Sequence, residues 1–143
     1  MQFESPPQRA CYTKIFPWMD ELFGESLQIH PDRPEFALTV GSALAQTLVL
    51  PFQSDAVIAT RAYVVRGVPA TLEFFRYLLE QNDRMTFGAF GIDPEGDVFL
   101  EHSIIGSTCD QPELEASILA VALLADHYDD EIANRWGGRR ASD

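Results

Sequence analysis

From Phe36 onward the apolar side chains of this chain fall at every second position. Phe36, Leu38 and Val40 alternate, and Leu44, Leu48 and Leu50 continue with Gln46 in step. A period of two belongs to a strand that rests one face on a core, and a helix cannot satisfy it. A β-branched run over 57–65 follows. Gly41-Ser42 and Gln53-Ser54-Asp55 interrupt the pattern with residues that turn readily. The spacing predicts three antiparallel strands; at Gly41 a bulge within one longer strand is the alternative reading.

Helical spacing brackets these strands. Ser5-Pro6-Pro7 reads as a helix start, and Tyr12, Ile15, Phe16, Met19, Leu22 and Phe23 follow on one side. Pro17 inside that pattern predicts a kink or two short helices, and Gly24 a stop. A second helix is expected from Pro69 through Gln81, closed by Asn82-Asp83. Residues 85–92 read as a strand, Asp93-Pro94-Glu95-Gly96 as a type I turn, and 97–105 as the returning strand. Asp110-Gln111-Pro112-Glu113 forms a capping box that opens a last helix running to about Asn134 before Gly137-Gly138. The order is α-β-β-β-α-β-β-α, an α+β fold with helices packed on an antiparallel sheet.

A chain of 143 residues suits one domain, spanning 1–143, and is long enough to bury a core without disulfides or metal. Twenty-two acidic against ten basic residues give a net charge of −12. Such a field repels phosphate backbones and anionic lipid, so nucleic acid is not an expected partner and membrane insertion is not expected. Cys11 and Cys109 are read as reduced, buried thiols, because they lack any close-spaced motif. The first residues show no basic stretch leading into an apolar run, and no apolar segment approaches the ~18 residues of a membrane span. A cytoplasmic location is expected.

Residue types that carry chemistry are present but poorly arranged. Gly41-Ser42 lacks the G-x-S-x-G frame of a nucleophile elbow. Cys109, His102 and Asp110 supply the residue types of a thiol triad, yet Asp110 is already used as a helix cap. Asp126 and Asp130, and likewise His127 and Glu131, lie four apart on the last helix. The two pairs point in different directions and no second histidine stands at ligand spacing, so neither a metal nor a cofactor is expected. These acids read as solvated, or paired with arginines such as Arg61, Arg66, Arg84, Arg139 or Arg140.

The informative feature is a surplus of apolar surface. Leu72, Phe74, Phe75, Tyr77, Leu78 and Leu79 of the middle helix cover an arc of roughly 220°, where a helix lying on a sheet needs little more than ~100°. One side can bury against the sheet, and the other is left for a partner unless the first and last helices cover it as well. Leu72, Phe74, Phe75, Tyr77 and Leu78 are therefore the candidate dimer or partner interface. On the last helix, Leu119 and Leu123 fall opposite the main apolar stripe. With Asp126 and Asp130 they form a candidate client surface, unless they pack on a neighbouring helix.

Several segments together resemble a known family. They are Gly41-Ser42-Ala43, Val64-Val65-Arg66-Gly67-Val68-Pro69, Leu78-Leu79-Glu80-Gln81-Asn82, Phe87-Gly88-Ala89-Phe90, His102-Ser103-Ile104-Ile105-Gly106 and the run from Ala125 to Ile132. In order and number they resemble the YbjN-like proteins and the class I type III secretion chaperones, most clearly over 36–138. The resemblance implies a homodimer with the middle helix at or near its interface. It also implies an unidentified protein partner whose unfolded segment lies on apolar grooves and along sheet edges. A non-enzymatic, chaperone-like or assembly factor is thus expected. A small-molecule-binding regulatory domain and an enzyme of unrecognised type are the rivals, with Phe87, Phe90 and Phe99 lining either a pocket or a plain core.

Overall fold

Ser5 starts the first helix, its hydroxyl accepting the Gln8 amide at 3.2 Å while Pro6 and Pro7 occupy the first turn. In the computed structural model, which describes residues Met1 to Asp143, helix α1 then runs unbroken over Pro6–Phe23. Pro17 lies inside it and does not divide it into two short helices. It sits on the exposed side, while Cys11, Tyr12, Ile15 and Met19 anchor the opposite side in the core. Gly24, at φ +51, turns the chain away.

The strands are β1 (Leu27–Ile29), β2 (Glu35–Val40), β3 (Ala43–Phe52), β4 (Asp55–Arg66), β5 (Ala89–Ile92), β6 (Val98–Ile105) and β7 (Arg139–Arg140). They form one antiparallel sheet in the order β1-β2-β3-β4-β6-β5, with β7 pairing the end of β4. The expected order of elements holds, with β1 and β7 added; at three and two residues, both are too short for a period to register. Gly41-Ser42 makes a two-residue hairpin turn, with Val40 opposite Ala43 and Gly41 at φ +58, so the bulge alternative is not adopted.

Helix α2 covers Leu72–Arg84. It starts later than Pro69 because the Thr71 hydroxyl supplies the cap, accepting the Phe74 amide at 3.1 Å. Its C-terminal end extends past Gln81, and Asn82 sits inside the helix rather than closing it. The strand expected over 85–92 shrinks to Ala89–Ile92, because Gly88 at φ +84 swings the preceding residues out of line. The Asp93–Gly96 turn forms with the Gly96 amide on the Asp93 carbonyl at 2.9 Å, and the Asp93 carboxylate gathers the amides of Glu95 and Asp97. Helix α3 spans Gln111–Trp136, with Asp110 accepting the Glu113 amide at 2.8 Å.

All three helices pack on the same face of the sheet. Beneath them lie two apolar clusters. One gathers Tyr12, Ile15, Met19, Phe36, Val49, Ile58, Leu114 and Ile118 under α1 and the start of α3. The other gathers Ala45, Val64, Phe74, Tyr77, Leu78, Phe90, Leu100, Val121 and Ile132 under α2 and the rest of α3. A belt of polar side chains crosses the core between them. Thr47 and Thr60 join hydroxyls at 2.9 Å, and His102 Nδ1 meets the Ser117 hydroxyl at 2.8 Å on α3.

Candidate interface surfaces

Packing against the sheet divides the apolar arc of α2. Phe74, Tyr77 and Leu78 face inward and are buried, the rings of Phe74 and Tyr77 each packing tilted against Trp136 with centroids at 5.4 Å. Burial, with Glu131 beside it, pushes the Tyr77 hydroxyl up to about 12. Leu72, Phe75 and Leu79 face outward with 78%, 37% and 68% of their surface exposed. Their spacing of three and then four residues makes a straight apolar stripe along the solvent side, bordered by the Arg76–Glu80 ion pair at 3.3 Å. Of the five residues read from the sequence, Leu72 and Phe75 are thus accessible as folded, and Leu79 completes the stripe.

The second surface is the sheet face that carries no helix. Across a two-residue turn the flanking residues pair and share a face, so Val40, which points to the core, hands that face to Ala43, Ala45, Thr47 and Val49. The large members of the β3 alternation, Leu44, Leu48 and Leu50, consequently point away from the helices. Register carries them into two apolar zones. Leu50 pairs Val57, which pairs Ile105; Leu48 pairs Ala59. At the other end Leu44 lies on the same face as Tyr63, which pairs Phe99. A polar band of Gln46, Arg61 and Glu101 runs between the zones. Arg61 salt-bridges Glu101 and lies 3.7 Å over the Phe99 ring, so its charge is neutralised and its plane is stacked.

The last helix presents Leu123 to solvent and half-buries Leu119. Asp126 is occupied. Its carboxylate accepts both the amide and the hydroxyl of Ser42 at 2.8 Å, and the Ser42 hydroxyl also bonds Asp129. Those Ser42 bonds hold the Asp126 carboxyl below the usual carboxylate range. Asp130 pairs with Arg140 at 3.4 Å. Of the four candidate client residues, Leu123 is the one left both apolar and open.

The residue types of the thiol triad do not converge. His102 bonds Ser117, Cys109 donates its thiol to the Gly106 carbonyl at 3.5 Å, and Asp110 caps α3. Burial raises both thiols, Cys11 to about 11, away from the thiolate a nucleophile requires. The three phenylalanines also part company. Phe90 packs in the core against Tyr128, Phe99 lies on the open sheet face, and Phe87 is exposed against the edge of His102. No three His, Cys, Asp or Glu side chains gather to hold a metal ion, and no helix is long and apolar enough to cross a membrane.

A family model, TY-Chap1, described as "T3SS (YopN, CesT) and YbjN peptide-binding chaperone 1", matches residues 16–143. No curated protein matches the chain. Among solved structures, a chain in "Crystal Structure of the ExsC-ExsE Complex" superimposes with a TM-score of 0.63 at 20% identity, over 83% of this chain and 93% of that one. At that identity the likeness is one of fold, an antiparallel sheet with its helices.

Proposed function

The chain belongs to the TY-Chap1 family of peptide-binding chaperones, and from that premise we propose that it is a non-enzymatic, chaperone-like protein that holds an extended segment of another protein on its open sheet face. The observation that carries this reading is the outward placement of Leu44, Leu48, Leu50, Val57, Phe99 and Ile105 on a face that no helix covers. A monomeric protein gains nothing by turning its largest β3 side chains to water and its alanines to the core. An extended segment suits such a face. Its own side chains alternate, so one row reaches the two apolar zones while the other stays solvated. A net charge of −12 favours basic segments.

The stripe Leu72, Phe75, Leu79 supports a homodimer in which α2 of one copy meets α2 of the other. A twofold interface needs one self-complementary patch, and three apolar side chains along one helix side supply it. In this reading the protein works in the cytosol, where Cys11 and Cys109 stay reduced.

Titration calorimetry against unstructured peptides with alternate apolar positions and flanking arginines tests the binding role. The Leu50→Asp, Ile105→Asp double variant is expected to bind at least about tenfold more weakly while keeping its circular dichroism spectrum. Equal binding by variant and wild type would sink the sheet-face assignment.

A further inference from the structure

The edges of the sheet are not equally open. At one end β1 is three residues long and runs into Pro31, two features that limit strand addition. At the other end β5 is Ala89-Phe90-Gly91-Ile92, with no charge, no proline and an exposed Ile92. Nothing in its own sequence discourages pairing. In a four-residue antiparallel strand only alternate residues turn their amide and carbonyl outward, here Phe90 and Ile92. Both outward groups of Phe90 are already taken by one side chain. The Phe90 amide donates to Asn82 Oδ1 at 2.7 Å, and Asn82 Nδ2 donates to the Phe90 carbonyl at 3.4 Å. The neighbouring Gln81 fixes the same end of α2, accepting the Tyr128 hydroxyl at 2.9 Å.

We propose that Asn82 is an edge guard: its amide stands in for a neighbouring strand at Phe90 and keeps β5 from pairing with β5 of a second copy. The need for it follows from geometry. A chain able to join through α2 and through β5 would carry two self-complementary patches, and alternating them builds an open-ended assembly instead of a closed dimer. Asn82 removes the second patch. This inference goes beyond peptide binding and does not depend on it, though the need for the guard rests on the α2 homodimer proposed above.

Sedimentation of Asn82→Ala beside wild type tests it. The variant is expected to reach a weight-average mass at least about twice that of wild type at equal concentration. Adding Ile92→Lys, a charge on the same edge, is expected to return it to the wild-type mass. An unchanged mass for a folded Asn82→Ala would overturn the proposal. Hydrogen exchange on the wild type needs no variant and tests the premise itself. The Phe90 amide is expected to be protected at every concentration and the Ile92 amide to exchange freely. Protection of Ile92 that grows with protein concentration would show the edge already paired, and the guard would be refuted. Loss of peptide binding leaves all of these outcomes readable.

Discussion

Ser42 and Asp126 lie 84 residues apart in sequence, yet one carboxylate oxygen of Asp126 receives both the backbone amide and the hydroxyl of Ser42 at 2.8 Å. This contact ties the β2–β3 turn to the third turn from the end of α3. It also explains Gly41, since a Cβ there would come within 2.4 Å of the Asp126 carboxylate at a φ of +58.

Asp126→Ala is expected to lower the melting temperature at neutral pH. The folded carboxyl titrates below its ordinary value of 3.8, so the ionised form is the one the fold stabilises. That contribution is complete above the unfolded-state value and is lost as pH falls through the lower folded-state value. The gap in melting temperature between wild type and variant should therefore close in acid. A gap that widened as pH fell would contradict the arrangement.

The Thr47–Thr60 pair should behave as a coupled unit. Both hydroxyls are buried, so Thr60→Val strands its partner at a cost of about 1–3 kcal/mol. Replacing both by valine removes the two polar groups together, and most of that loss should return. A double-mutant cycle by urea unfolding measures the coupling; strictly additive losses would show that the hydroxyls do not depend on each other.

Neighbouring residues of α2 should separate stability from association. Leu78→Ala opens a cavity in the core and is expected to cost about 2–5 kcal/mol. Leu79→Glu, one position on but exposed, should leave unfolding of the isolated subunit, compared at concentrations where both proteins are monomeric, within about 0.5 kcal/mol of wild type. It should also shift sedimentation of the proposed dimer toward monomer. Dimers that persist in Leu79→Glu would move the interface elsewhere.

Cys11 should resist alkylation. Its thiol rises from 9.0 to about 11, chiefly by burial and then by the nearby Cys109, so the thiolate fraction at pH 8 drops about 100-fold. Labelling by iodoacetamide, followed by mass spectrometry, should be slow in the folded protein and fast in urea. Rapid labelling of Cys11 in the native state would count against its burial.

Much of the fold was legible because local chemistry and tertiary packing agree. Ser5, Asp110 and the Asp93–Gly96 turn act as their residue types require, and the period-two runs become strands. Boundaries shifted where the deciding group was a side chain outside the pattern, as with Thr71 at the start of α2. Asn82 reads as a terminator because asparagine tolerates left-handed backbone, whereas its amide is used on a strand eight residues further on. The open sheet face also has a signal in the sequence. Fixing the Gly41-Ser42 turn at two residues places Ala43 beside Val40, which reverses the phase of the β3 alternation and sends its leucines outward. The arc on α2 was visible as an excess, but only packing decides which half of such an excess is spent on the core. The Ser42–Asp126 contact left no trace, since two polar residues far apart in sequence carry no period.

The polar belt across the core bears on how the molecule unfolds. Two apolar clusters parted by hydroxyls and an imidazole invite two separate melting events. Helix α3 opposes this, because it plants Leu114 and Ile118 in one cluster and Val121, Ala125 and Ile132 in the other along a single rod. Fraying either half costs the rod its seat in both. Cooperativity in this chain is therefore a property of one helix bridging two small cores, not of one large core.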